Sequence, residues 1–329
     1  MAINLTALTP HKVSRDLSGY ITYIYGAPKT GKTTLAAQMK GALILAFERG
    51  YNALPGVMAQ DITNWSEMRQ CYRELKKPEV KQMFNAVVVD TIDIAADMCQ
   101  KYICNQKEIE TLGDLGYGKG WTAFKEEFNE IFRGLTQLGY AVYFIGHHKE
   151  ISVKDERTQV ETTTIRPALS SSTRAVIEGM ADIYGYAHQK GGEKMSVLTL
   201  RHPDDSVSCG SRFKYMPSEI PMNYESLTKA LNDAIEAEAS EHNNQYVTDE
   251  AIRPVNLVKE YDFDAMMARF QILVNDLMTK NQSNGLRITA ICEKFFGKGK
   301  KVSDCNPTQS EQLELVILEL EDLLTAQNK

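Results

Sequence analysis

The chain has 329 residues, a formal net charge of −6 and a pI near 5.7, with 43% hydrophobic and 24% charged residues. That balance suits a globular chain of two domains and excludes a generally basic nucleic-acid binder, so any such contact must use local basic patches. No apolar run approaches the roughly 18 residues of a membrane span, and the six cysteines form no C-x-x-C pair or zinc spacing with the six histidines. They read as reduced cytosolic thiols.

Residues 1–19 are a polar lead punctuated by Pro10 and Gly19, and Met1–Pro10 lacks the charged and apolar segments of a signal peptide. The expected compartment is the cytoplasm. An apolar, β-branched run from Tyr20 to Tyr25 then meets Gly26, Ala27, Pro28, Lys29, Thr30, Gly31, Lys32, Thr33 and Thr34, followed by the helix-forming Leu35–Lys40. Strand, G-x-x-x-x-G-K-[ST] loop and helix are the parts of a phosphate-binding P-loop. Its glycines let successive N–H groups point inward at phosphate oxygens, and the helix N-terminus adds donors and partial positive charge. Lys32 is expected to reach the β- and γ-phosphates and the Thr33 hydroxyl to ligate Mg²⁺.

Ala42–Phe47 reads as a short buried strand ending in Glu48-Arg49-Gly50, and Asn64 as the N-cap of a helix over 65–76. Ala86–Asp90 has the form of a Walker B strand, with Asp90 holding Mg²⁺ through water. A helix over 92–106 precedes four glycines within 113–120, expected to make a mobile loop. An amphipathic helix at about 121–138 leads to the strand Ala141–Ile145 and Gly146-His147-His148. Alternation at this rhythm specifies a mainly parallel α/β sheet.

Beyond Lys149, alternating residues over 150–165 suggest a protruding hairpin or flexible loop. A serine-capped helix at 170–179, strands at 182–189 and 195–201 around a Gly191-Gly192 turn, and a helix at about 224–239 complete the first domain. Asp233–Glu250 contains no lysine or arginine, which reads as a solvated linker. Helical patterns at about 262–280, 286–296 and 308–325 follow. The expected organisation is a core over 1–235, an acidic linker over 236–250 and a small α-helical domain over 251–329.

With both Walker elements placed, Asp90 is followed by Thr91, where AAA+ ATPases carry a glutamate base. Glu48, at the tip of the strand after the P-loop helix, resembles the glutamate that RecA-like ATPases use to polarise the attacking water. His147 ends the strand that in this fold class lies between the two Walker strands, where RecA has a γ-phosphate-sensing glutamine. GAPKTGKTTLA, LAFERG, VVVDT, GKGW, FIGHH, Ala181–Tyr186 and CGSRF together resemble bacteriophage RecA-like ATPases of the Sak-type single-strand annealing group, over roughly 20–220. The resemblance implies a RecA-like P-loop NTPase that hydrolyses ATP with Mg²⁺, forms homo-oligomers and binds single-stranded DNA in recombination, annealing or replication. RecA's N-terminal oligomerisation helix has no counterpart in the short lead.

Several residues carry two readings. Glu48 is the base or a strand-end glutamate paired with Arg49; His147 is a sensor or a structural histidine. Arg201, Arg212 and Lys214 are candidate cationic fingers toward a neighbouring subunit, or surface charge. Lys119, Trp121, Lys149, Lys154, Arg157 and Arg166 combine phosphate-binding cations with a stacking aromatic, as single-strand binding uses, although Asp155, Glu156 and Glu161 dilute the hairpin's charge. Lys294, Lys298, Lys300 and Lys301 beside Phe295-Phe296 form a second basic stretch. A different class of function, a nucleotide-dependent binding module such as a helicase loader or assembly switch, would use the C-terminal helices on a protein partner.

Overall fold

The computed structural model describes Thr6 and residues 8–154, 161–191, 195–241, 243, 245–253 and 261–327. The chain forms two compact units, Met1–Asn256 and Leu257–Lys329. The first begins with β1 (Val13–Ser14), β2 (Ile21–Gly26), α1 (Lys32–Ala37), β3 (Ala42–Ala46) and β4 (Met58–Asp61). Then come α2 (Trp65–Glu74), α3 (Pro78–Met83), β5 (Ala86–Asp90), α4 (Ile92–Gln106) and α5 (Lys119–Thr136). They are followed by β6 (Ala141–Lys154), β7 (Glu161–Pro167), α6 (Ser171–Met180), β8 (Ile183–Lys190), β9 (Met195–Thr199) and β10 (Gly210–Ser211). β11 (Glu219–Pro221), α7 (Tyr224–Ser240) and β12 (Val247–Thr248) close the unit.

The main sheet runs β11-β9-β8-β2-β6-β5-β3-β4. Its strands from β8 to β4 are parallel, and β9, β10 and β11 add an antiparallel edge. The strand ending in the P-loop is therefore separated from the strand ending in Asp90 by β6, as the sequence led us to expect. Register follows from burial on both faces: Val87 and Val89 face α2, α4 and α5, while Val88 faces α1 and α7. On the first face Tyr23, Tyr25 and Phe144 pack against Met68, Cys99, Phe128 and Phe132; on the second Ile24 and Tyr143 pack against Leu35, Leu227 and Leu231. Each such side chain stabilises the unit by about 1.5–3 kcal/mol, enough to hold the strand ends in fixed register.

Local signals set several helix starts. The Asn64 side chain accepts from the Glu67 N–H at 3.1 Å, and Glu67 accepts from the Thr63 N–H at 2.7 Å. Ser170 caps α6 through the Thr173 N–H at 3.3 Å. Pro78 opens α3, because proline at the first helical position loses no hydrogen bond.

Two expectations need correction, and a third resolves to one of its alternatives. The glycine-rich stretch is not a loose loop throughout. Residues 112–115 form a 3₁₀ turn closed by reciprocal Thr111–Asp114 bonds, and Gly120 is buried in the first turn of α5, where a Cβ would lie 2.1 Å from the Leu112 carbonyl oxygen. The acidic stretch is likewise structured. α7 continues through Ser240 with Ala239 buried, and Val247–Thr248 pairs in parallel with Val13–Ser14. Its carboxylates take cations from distant segments instead of water alone: Glu236 and Asp249 flank Arg15, and Glu241 meets Lys214 at 3.1 Å. The segment beyond Lys149 is a hairpin continuing β6, paired with β7 from His148↔Pro167 to Lys154↔Glu161. Its base is tied to 206–208 by Ile165 N–H to Ser206 O at 2.6 Å and Ser208 N–H to Ile165 O at 3.1 Å. Its turn, with Arg157, and the Lys154 side chain lie outside the described residues, as does most of the Gly191-Gly192 turn.

Among the described residues, the second unit packs the α-helices α8 (Phe263–Lys280), α9 (Asn284–Phe296) and α10 (Ser310–Ala326) around Leu273, Leu277, Ile288, Leu313, Val316 and Leu320. The helical spacing of α10's leucines is what packs it there. Lys294 pairs with Glu319, and Phe295 and Phe296 pack on this core.

Candidate nucleotide site

The parallel strands deliver their C-terminal ends to one edge of the sheet, and the chemistry-bearing residues gather there. Register fixes the neighbours: Gly26 lies between His147 and Ala187, and Asp90 lies between Ala46 and Ile145. A Cβ at Gly26 would fall 2.0 Å from the Ala187 carbonyl oxygen, so only glycine fits. Gly31, with φ of +88°, turns the loop into α1. Thr30 is buried and donates its hydroxyl to the Ala27 carbonyl at 2.9 Å, bracing the loop from inside.

Lys32 is 7% exposed, and its ammonium donates to the carbonyls of Gly26 at 3.1 Å and Ala27 at 2.8 Å. Burial lowers its pKa, although Asp90, Glu48 and Asp93 pull the other way. A cation desolvated against carbonyls alone is a poor bargain without an anion. The loop and its lysine therefore suit phosphate.

Asp90 is 1% exposed; its Oδ2 accepts the Thr33 hydroxyl at 2.7 Å, while its Oδ1 has no hydrogen-bond partner among the described residues. Burial, and then the nearby charge of Glu48, pushes its pKa up to about 6 against the pull of Thr33, Lys32 and His147. Gly50 borders the same pair: a Cβ there would lie 3.0 Å from Thr33 Oγ1, 3.2 Å from Asp90 Oδ2 and 3.9 Å from Glu48 Oε1. An unpartnered buried carboxylate oxygen beside a hydroxyl, in a space kept open by glycine, fits a hard divalent cation. Among the described residues no three His, Cys, Asp or Glu cluster as a metal cage. Mg²⁺ needs none, since it keeps waters and substrate phosphates as ligands.

Glu48 reaches this site from the end of β3. Its N–H and that of Phe47 bond the Asp90 carbonyl at 3.2 and 2.7 Å, which anchors the turn to β5. Its side chain does not pair with Arg49, which instead meets Asp61 at 3.0 Å. Glu48 Oε2 lies 3.6 Å from His147 Nε2. His147 in turn is held by Asp93, a residue the sequence did not single out. Asp93 accepts the His147 ring Nδ1 at 2.7 Å and its backbone N–H at 3.0 Å. This bond raises the histidine's pKa against its partial burial, and the same contacts keep Asp93 low despite burial.

The other candidates lie elsewhere. Lys149 donates to the Leu169 carbonyl at 2.8 Å, and Arg166 to the carbonyls of Asp205 at 2.6 Å and Ile165 at 3.1 Å. Arg201 bonds the Lys214 carbonyl at 2.6 Å; Arg212 bonds Asp182 at 3.1 Å and the Gly179 carbonyl at 3.0 Å. Lys119 and Trp121 occupy the exposed first turn of α5, next to a fully exposed Tyr117 that sequence reasoning also passed over.

These features define a P-loop ATPase domain. Residues 18–212, more than half of the chain, match the AAA domain family AAA_24, and the chain belongs to that family. Such domains bind and hydrolyse nucleoside triphosphate with Mg²⁺ in general. The chain is also similar, at 28% identity over 98% of its length, to the SPbeta prophage-derived uncharacterized protein YorG of Bacillus subtilis (strain 168), 99% of which is covered. No helix among the described residues is long and apolar enough to cross a membrane.

Proposed function

We propose that this chain is a phage-type ATPase of RecA-like mechanism that works on single-stranded DNA in recombination, annealing or replication. The observation that carries it is the convergence of Glu48 and His147 on the Thr33–Asp90 pair at the mouth of the P-loop, with the His147 strand between the two Walker strands. Residues 26–34 bind the triphosphate, with Lys32 turned from its carbonyls to the phosphates. Thr33 and Asp90 hold Mg²⁺, which supplies neutralising charge to the phosphate oxygens when bound. Glu48 accepts the proton of the attacking water, and His147 senses the γ-phosphate from the strand that continues into the hairpin.

The deciding experiment is ATPase activity with and without single-stranded DNA at low salt. Stimulation by DNA is expected, with Lys32→Ala inactive and Glu48→Gln binding ATP but turning over about 10²- to 10³-fold more slowly. Normal turnover in Glu48→Gln sinks the base assignment. If DNA neither binds nor stimulates, the second reading gains: a nucleotide-dependent module acting on a protein partner. That reading is favoured by the exposed Leu286, Ile272 and Leu315 of the helical unit.

A further inference from the structure

We propose that Asp93 is a positioning residue for hydrolysis, gripping His147 by backbone and ring so that the ring's Nε2 faces Glu48. The inference rests on reading Glu48 as the base. Asp93 stands in the first turn of α4, where an acid commonly serves its own helix by accepting from that helix's amides. Here both carboxylate oxygens instead reach across to β6, Oδ1 to the His147 N–H at 3.0 Å and Oδ2 to the ring at 2.7 Å. One bond fixes where the residue sits relative to α4; the other fixes the ring's rotation.

The chemistry of the pair then assigns the tautomer. An ionised carboxylate only accepts, so the neutral ring must carry its proton on Nδ1 and leave Nε2 for the reaction centre. Nε2 stands 3.6 Å from Glu48 Oε2, beyond hydrogen-bond length; both are acceptors when the ring is neutral, so the two can act together only through a water that donates to each. Asp93 is itself partly buried, with a side-chain exposure of 13%, which limits the access of competing water to its grip. The Asp93–His147–Glu48 series thus orders the His147 ring beside the base without touching substrate. A histidine held only by packing could flip and present carbon where the site needs nitrogen.

The test begins with wild-type protein and long-range ¹H–¹⁵N spectra of the histidine ring. The neutral form of His147 is expected as the Nδ1–H tautomer; an Nε2–H ring overturns the proposal. Asp93→Asn keeps shape but offers only one acceptor and one donor, so it should shift His147 to the Nε2–H form. In that variant kcat for ATP should fall about 10²-fold with KM within about threefold, a smaller loss than at a triad aspartate because the histidine is not itself the base. In a His147→Gln background the same change should cost less than about threefold, since the residue it positions is gone. An unaltered kcat in Asp93→Asn, or losses that multiply independently in the double variant, also overturns it. If the wild type hydrolyses no nucleotide, the base reading fails, and the tautomer spectra alone then decide the role of Asp93.

Discussion

At the phosphate edge of the sheet, Lys32 and Asp90 are desolvated, and Asp90 keeps an oxygen that no neighbour satisfies. On the β6–β7 hairpin and the segments after β9 and β10, Lys149, Arg166, Arg201 and Arg212 each donate to a carbonyl of their own chain. The two regions are made of the same residue types, and a sequence reader marks both as candidate sites. They differ in what their charges cost. A buried ion short of partners raises the free energy of the folded chain and is relieved by a ligand, whereas a surface cation resting on a carbonyl is already satisfied. The phosphate edge is built to wait for something, and the tied surface cations are largely architecture.

The comparison can be broken most directly at Asp90. Its folded-state pKa of about 6 lies above its ordinary value of 3.8, so the folded chain holds this proton more tightly than the unfolded chain does. Below about pH 4 both states are protonated and nothing is lost. Between pH 4 and 6 the unfolded state gives up the proton first, and stability falls as pH rises. Above pH 6 the cost levels off at about 3 kcal/mol. Asp90→Asn removes the charge but leaves its amide without a partner where Oδ1 stood, so a net gain of about 2 kcal/mol is expected in nucleotide-free protein at pH 7.5. The gain should vanish near pH 4, and hydrolysis should be lost at every pH. Thermal unfolding across that range measures it; an unstable Asn variant at pH 7.5 would mean that Asp90 is a structural carboxylate like the others.

A smaller effect sharpens the same point at Gly50, which the sequence presents only as a turn glycine after Glu48-Arg49. Gly50→Ala should change thermal stability only slightly, because the shift its methyl demands is small, yet weaken the Mg²⁺ dependence of hydrolysis about tenfold. Its methyl would stand against Thr33 Oγ1 and Asp90 Oδ2 and must displace one of them by a few tenths of an ångström. Titrating Mg²⁺ at saturating ATP reads it out. Gly50 and Asp93 show where sequence reasoning ran out. The P-loop and the Asp90 strand were legible because each sits within a local pattern whose spacing carries its chemistry, whereas Glu48 and His147 stand out only through the resemblance to RecA-like ATPases. Asp93 looks like any acid opening a helix; its role exists only because β6 lies next to β5 and brings His147 beside α4. The acidic stretch misled for the same reason: nothing near Glu236 or Asp249 in sequence announces Arg15, which meets both.

Among the residues outside the phosphate edge the comparison makes its finest division, and here the expected effects are smallest. Lys149 and Arg166 have their charged groups committed to carbonyls at the hairpin base, and releasing them to a phosphate gives up one bond for another. Lys119 and Trp121, by contrast, are presented on a helix start braced from below by Gly120 on Leu112, with Tyr117 fully exposed beside them. Base stacking on an exposed aromatic contributes about 1–3 kcal/mol, and a phosphate contact mainly steepens the salt dependence. If single-stranded DNA binds, Trp121→Ala should weaken it about five- to tenfold at every salt concentration. Lys119→Ala should flatten the dependence of affinity on salt, and Lys149→Ala should change either quantity by less than about twofold. Fluorescence anisotropy of a labelled oligonucleotide across a salt series separates the three. Should Lys149→Ala prove the most damaging, the hairpin base must open when DNA arrives, and a tied surface cation can no longer be taken as a sign that a region binds nothing.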